Sequence, residues 1–308
     1  MDDFLHSGDQ LFKKNVLDKL RRTFEISSES ADVFAYLGIN LSNLGDYLTL
    51  DQLDYIRELK PINLSENRKM HKDDELTEQE RKEMRSKIGK LNWATTQTRP
   101  DIAFEVSRLA SRVNKAKVYD LIEVNKLVKK VKSEEVVVKF PKLNNLQKCK
   151  LVIYADAGFA NVEDCGSQGA HIIFLVDEEN NSVPLSWSST RIKRVARSTL
   201  TAETLALNDA VDKAQMINKI LSQVILREGH KFPMICYTDS YSLAQSTQTS
   251  HTLAEKRLLV DMAALREAVD REEVKIVWIE TRKNIANPLT KKTAYSGALI
   301  EVLRGGHL

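Results

Sequence analysis

Apolar positions in this chain keep a helical period over much of its first half and turn to strand-like runs from about residue 149 onward. Over residues 10–23, Leu11, Val16, Leu17 and Leu20 recur at helical spacing, and Arg21 and Arg22 suit the C-terminal end of a helix dipole. Residues 34–41 and 47–50 read as the arms of a hairpin turning on Asn43-Leu44-Gly45-Asp46. Asp51 caps a short helix that runs to Leu59 and is stopped by Pro61, and 63–76 is polar enough to be an exposed loop. Thr77, with Glu80 three residues on, is a capping box. It opens a helix with Met84, Ile88, Leu91 and Trp93 as apolar positions. Thr98-Arg99-Pro100-Asp101 ends that helix and starts another, whose Ile102, Val106, Leu109 and Val113 share one face; a third spans about 118–131.

The segment 139–148, with its proline and two asparagines, reads as a domain boundary. Beyond it, strand-like runs at 149–156, 169–177 and 182–188 are followed by a long helix at about 199–226. Then come a strand at 233–239, helices near 240–246 and 253–271, a strand at 274–280 and a last helix near 290–303. Gly166 and Gly169 mark the entry to the second strand. Three strands in a meander followed by alternating helix and strand predict a mixed sheet covered by helices, an α/β (α+β mixed) fold.

Charge changes the picture locally. The net charge of +3 is modest, but residues 81–150 hold 18 lysines and arginines against 7 acids, so the rest of the chain is net acidic. Such an excess steers a polyanion, although a solvated helix face carries lysines as well. Cys149, Cys165 and Cys236 form no ligand pattern and read as reduced, intracellular and structural. No apolar stretch reaches the roughly 20 residues that span a bilayer. The abrupt opening, Met1-Asp2-Asp3-Phe4-Leu5, looks like a domain cut in its middle.

Three acids carry the chemistry. Asp156 ends the run Leu151–Ala155, Asp239 ends the run Met234–Thr238, and Glu203 lies near the start of the long helix. Stepping from Glu203 by three and four gives Leu207, Ala210, Ala214, Ile217 and Leu221, all apolar or small, so Glu203 sits on the core-facing stripe. Asn208, Asp209, Asp212, Lys213 and Gln215 fall on other faces. Carboxylates at buried strand ends are costly to desolvate, and three of them imply shared divalent cations. Two Mg²⁺ ions (Mn²⁺ as the alternative) about 4 Å apart around a phosphate would make a hydrolytic site.

These residues match a known pattern. Tyr154-Ala155-Asp156-Ala157-Gly158-Phe159-Ala160-Asn161 resembles the first catalytic strand of ribonuclease H in copia-type (Ty1/copia) retrotransposon Pol polyproteins. Leu185-Ser186-Trp187-Ser188-Ser189 and Arg197–Leu207 resemble that family's entry to the catalytic helix, and Tyr237-Thr238-Asp239-Ser240 its third acidic strand. Ile285-Ala286-Asn287-Pro288-Leu289-Thr290-Lys291 sits where the family has its terminal motif. Lys87–Trp93 and Thr98–Phe104 are similar to the segment joining reverse transcriptase to ribonuclease H, and Asp2-Asp3-Phe4-Leu5 to the end of the polymerase dyad motif.

The resemblance implies three regions: a truncated palm and thumb remnant at 1–75, a helical connection at 76–145, and a ribonuclease H-like domain at 146–308 with a five-stranded mixed sheet. It implies an endonucleolytic hydrolase that cuts the RNA strand of RNA–DNA hybrids, with Asp156, Glu203 and Asp239 as metal ligands and Asn287 as a fourth catalytic position. The remainder of such a polyprotein is an expected covalent partner. Lys87, Arg99, Ser188, Ser189 and Arg191 are the candidate contacts to nucleic acid, the serines having local capping as their plainer role. Trp187 and Trp278 read as core, and His251 as a solvated loop residue, with help in product release as its alternative role.

Two departures stand out. Asp2 and Asp3 cannot form a polymerase metal site alone, so no DNA synthesis is expected. Asn287 replaces an aspartate; its amide oxygen can approach a metal but carries no charge, which predicts weaker binding of a second ion. Glu280 is the nearby acid that could substitute. Competing readings are a relic that binds nucleic acid without cutting it, and a DNA resolvase or transposase sharing the same sheet.

Overall fold

The computed structural model describes residues 4–225, 231–249 and 256–308. Asp2 and Asp3 of the dyad resemblance, and His251, lie outside them.

The first helical stretch is continuous but uneven: α1 (Gln10–Phe12), a π-helical turn (Lys13–Leu17) and α2 (Asp18–Thr23). None of its residues is buried. The hairpin expected over 34–50 is instead a three-stranded meander, β1 (Val33–Tyr36), β2 (Ile39–Asn43) and β3 (Tyr47–Asp51), because the chain turns twice. The extra turn falls at Leu37-Gly38, where both residues have positive φ; glycine adopts that conformation at little cost. Asp51 accepts from the Leu53 amide at 2.9 Å, but the N-cap of α3 (Leu53–Arg57) is Gln52, without a side-chain cap, and the helix ends at Arg57 rather than Leu59. The loop expected at 63–76 contains one short helix, α4 (Glu66–Met70).

Three helices follow. The capping box forms at the head of α5 (Glu78–Gln97), with Thr77 accepting from the Glu80 amide and Glu80 accepting from that of Thr77. A 3-10 turn (Pro100–Ile102) leads into α6 (Ala103–Arg112), and α7 (Val118–Ser133) returns. Met84, Ile88, Leu91, Ile102, Val106, Leu109, Leu121 and Val124 close one core, which also takes in Ile56, Leu59, Ile62 and Leu64. Residues on both sides of position 75 therefore share a core. The expected boundary segment contributes β4 (Val138–Pro141), which pairs antiparallel with β3 to complete a four-stranded sheet.

The second sheet has five strands in the order β7-β6-β5-β8-β9, as expected from the meander and the alternating elements that follow. β5 (Lys150–Val162), β6 (Gly166–Val176) and β7 (Ser182–Arg191) are antiparallel; β8 (Met234–Thr238) and β9 (Lys275–Trp278) run parallel to β5. β6 is buried on both faces because each face has a cover. Ile173 and Leu175 face α8 (Thr199–Ile225), while Ile172, Phe174 and Val176 pack with the C-terminal α11 (Gly297–Gly305). On α8, Leu207, Ala210 and Ala214 are buried and Ile217 and Leu221 partly so, in the stripe read from the sequence. Burial of one such leucine contributes about 2 kcal/mol. α9 (Tyr241–Gln248) and α10 (Leu259–Asp270) cover β8 and β9 on the α8 side. The last helix begins at Gly297, not near 290, because 287–289 form a 3-10 turn that is held against the end of β5.

The helical layer braces the five-stranded sheet through polar contacts. Trp187 Nε1 donates to the Thr95 carbonyl at 2.6 Å, Gln168 Nε2 to Ser107 at 3.0 Å, and Arg112 pairs with Glu163 at 2.7 Å. No described helix is long and apolar enough to cross a membrane.

Candidate active site

Strand register brings two of the acids together. β5 and β8 are parallel and pair Tyr154 with Tyr237, so Asp156 and Asp239, each two residues further on, lie side by side at the C-terminal end of β8, with Asp156 still within β5. Glu203, near the head of α8, comes over them and accepts from the Ala157 amide. Carboxylate oxygens of Asp156, Glu203 and Asp239 all lie within 4.8 Å of one another. Asp156 is fully buried, Glu203 nearly so, and Asp239 half-buried. A Cβ at Gly158 would stand 2.1 Å from Asn161 Nδ2, so a larger residue there would displace the Asn161 side chain from the Thr290 carbonyl.

Three carboxylates so close repel one another in a medium that solvates them poorly. Burial, with Asp156 and Asp239 beside it, pushes Glu203 up to about 9. Burial also raises Asp156, to about 6, against the pull of Lys291 and Thr290. Asp156 Oδ2 accepts from the Thr290 hydroxyl and has the Lys291 ammonium at 3.7 Å. Asp156 Oδ1 is buried without a hydrogen-bond partner. A buried carboxylate oxygen left unpaired beside two further carboxylates is a donor set for a hard divalent cation, so the residues fit the metal implied by the sequence.

The wall opposite α8 is the segment 284–291. Asn284 Nδ2 donates to the Ala155 carbonyl at 2.9 Å, and Asn161 Nδ2 to that of Thr290 at 2.6 Å. Asn287 is half-buried, and its Oδ1 accepts from Lys291 Nζ at 2.7 Å. The acid cluster thus meets a hydroxyl and an ammonium where the resemblance implied a fourth carboxylate. Thr290, Lys291 and Asn284 were not singled out from the sequence. Thr290 and Lys291 stand in the terminal-motif block 285–291 without a role of their own, and the contacts of all three have meaning only once the 3-10 turn is known.

Two expected nucleic-acid contacts are structural instead. Arg99 is fully buried, forms a two-pronged ion pair with Asp101 at 2.8 Å and donates to the Val131 carbonyl at 3.0 Å. Ser189 is buried, donates to the Leu289 carbonyl at 2.5 Å and accepts from Gln168 at 2.9 Å. Lys87 is partly exposed, but its ammonium is engaged by the Lys60 carbonyl. Ser188 is half-buried beside His171, and Arg191 is exposed with its guanidinium over Gly166. Several other bases of the 81–150 stretch are in ion pairs, Arg108 and Lys126 with Glu123 and Lys130 with Glu105. Glu280 is exposed and bound to Arg282, so it is no substitute ligand. Trp278, read as core, is 45% exposed; its Nε1 donates to the Asp239 carbonyl at 3.1 Å and its ring meets Tyr241 edge-on.

The strand order and the convergence of Asp156, Glu203 and Asp239 define a ribonuclease H-like fold. No protein-family model matches the sequence. Among curated proteins, the retrovirus-related Pol polyproteins from transposons RE2 and RE1 of Arabidopsis thaliana are each 25% identical to it, over 94% of this chain. The chain spans about one fifth of the length of these relatives. Similarity over nearly its whole extent is consistent with a retrotransposon Pol fragment.

Among solved structures, LC11-RNase H1 in complex with RNA/DNA hybrid is 23% identical, with 49% of this chain and 99% of that chain covered and a TM-score of 0.36. RNase H1 from Halobacterium salinarum is 16% identical, covers 46% and 94%, and scores 0.34. The prototype foamy virus protease–reverse transcriptase is 14% identical, covers 54% and 21%, and scores 0.33. The strand order and the placement of the acids, not these scores, carry the fold assignment.

Proposed function

We propose that this chain is the ribonuclease H part of a copia-type retrotransposon Pol polyprotein, hydrolysing the RNA strand of RNA–DNA hybrids with Mg²⁺. The observation that carries the reading is the set of three converging acids with Asp156 Oδ1 buried and unpaired. When bound, divalent ions would supply an activated water and stabilise the leaving oxygen. Asp156, Glu203 and Asp239 would hold them. Thr290 and Lys291 fix Asp156 from one side, and the Ala157 amide fixes Glu203 from the other. The exposed Trp278 and Tyr241 beside Asp239 offer aromatic faces against which a base or ribose can lie. A ribonuclease H would tell the hybrid by its shape and 2′-hydroxyls rather than by its base sequence.

The test is Mg²⁺-dependent cleavage of a labelled hybrid, with Asp156→Asn beside the unaltered chain. Cleavage that requires Mg²⁺ and falls to background in Asp156→Asn supports the reading; equal cleavage by both, or none by either, overturns it. Asn287 favours a second reading, a protein that binds hybrid without cutting it, and none by either with retained hybrid binding is its signature. Offering duplex and junction DNA to the same preparation separates a resolvase-like activity.

A further inference from the structure

Charge balance at the acid cluster singles out a residue that none of the similarities assigns. When ionised, Asp156, Glu203 and Asp239 carry three negative charges, and Asn287 adds none. Lys291 stands at their side, with Nζ 2.7 Å from Asn287 Oδ1 and 3.7 Å from Asp156 Oδ2. The four-residue spacing across the turn puts the amide and the ammonium face to face. A neutral amide orients an ammonium without cancelling its charge, so Lys291 keeps its field for Asp156. An aspartate at 287 would pair with Lys291 and neutralise it. Three carboxylates against one ammonium leave two negative charges, which one divalent ion balances.

We propose that Lys291, oriented by Asn287, is a positioning residue that acts as a resident cation, so the cluster takes one divalent ion tightly and a second only weakly. The proposal rests on the metal-dependent reading above and gives the amide at 287 a role, the orientation of Lys291. Lys291 is 39% exposed at its side chain while Asp156 is fully buried, so a substitution at 291 alters the charge of the site with little loss of packing.

Titration of the metal-free full chain with Mn²⁺, followed by the electron paramagnetic resonance of the free ion, counts the bound ions without recourse to cleavage. The unaltered chain is expected to bind one Mn²⁺, with any second ion at least about tenfold weaker. Lys291→Met should tighten that second event about tenfold or more, and Asn287→Asp should move it in the same direction. Lys291→Arg, which keeps the charge, should titrate like the unaltered chain. Two ions of similar affinity in the unaltered chain, or a Lys291→Met titration indistinguishable from it, overturns the proposal. Asp156→Asn separates the two failures. If it abolishes the tight ion while Lys291→Met changes nothing, only the role of Lys291 falls. If it titrates like the unaltered chain, the metal reading falls as well.

Discussion

Glu203→Gln in the metal-free protein should change how stability depends on pH. In the folded chain Glu203 is 6% exposed, has two carboxylates within 4.8 Å and is pushed up from 4.5 to about 9. An acid whose folded pKa lies above its unfolded value holds its proton more firmly when folded. Its contribution is therefore intact below about 4.5 and is lost as pH rises towards about 9. Each pH unit of that gap is worth about 1.4 kcal/mol, which caps the loss at roughly 6 kcal/mol. Proton sharing with Asp156, itself raised to about 6, and entry of water reduce it, so we expect a loss of about 2–4 kcal/mol between pH 5 and 9. At this chain length that corresponds to a fall in Tm of roughly 5–15 °C.

Thermal denaturation in EDTA, scanned across that range, measures the effect. Glu203→Gln should flatten the decline above about pH 6, leaving only the part due to Asp156 below it. Saturating Mg²⁺ at pH 8 should raise the Tm of the unaltered chain, by about 2.7 kcal/mol of stabilisation at a hundred times Kd, and do less for the variant. A Tm that is level or rising from pH 6 to 9, or equal slopes in the two proteins, would refute the reasoning.

Other outcomes follow from particular contacts. Arg99→Ala leaves Asp101 buried without its partner and should cost about 3–5 kcal/mol in urea denaturation, while the salt dependence of hybrid binding per folded molecule stays unchanged. Trp278→Ala should weaken hybrid binding by about 1–3 kcal/mol in fluorescence anisotropy with little change in Tm; an unaltered Kd would remove the aromatic contact from the proposal. Thr290→Val deprives Asp156 of its hydroxyl donor and should lower Mg²⁺ affinity about 10–100-fold in calorimetric titration.

Much of this architecture was legible in the order of residues. The stripe from Glu203 to Leu221 placed a carboxylate at the head of a buried helix face; of the two aspartates expected at strand ends, Asp239 directly follows β8, whereas Asp156 lies within a β5 that runs on to Val162. Such patterns survive because burial and periodicity are local properties of a helix or strand. The errors fall where partners distant in sequence decide the outcome. Arg99 looked like a phosphate contact because its neighbourhood is basic, yet Asp101 and the Val131 carbonyl take it inside. Ser189 looked like a surface hydroxyl at a strand end, yet Leu289, a hundred residues on, claims it. Trp278 sits in an apolar run and reads as core, whereas its indole is half exposed and donates to the Asp239 carbonyl. The second turn at Leu37-Gly38 was hidden by an unbroken apolar run, since one glycine does not distinguish a bend from a flat strand.

Tyr47 faces Pro141, and Leu50 faces Val138, across a ladder whose two strands lie roughly ninety positions apart in the chain. Everything between them, including the three long helices, is in effect an inset between adjacent strands. Its two ends must meet before the small sheet is complete, and closing so long a span costs chain entropy that grows only slowly with length. The inset can therefore vary in size across related chains with modest penalty, provided its ends keep their register. Trimming the polypeptide at position 146 would, however, discard one side of that seam together with the props under Trp187 and Gln168.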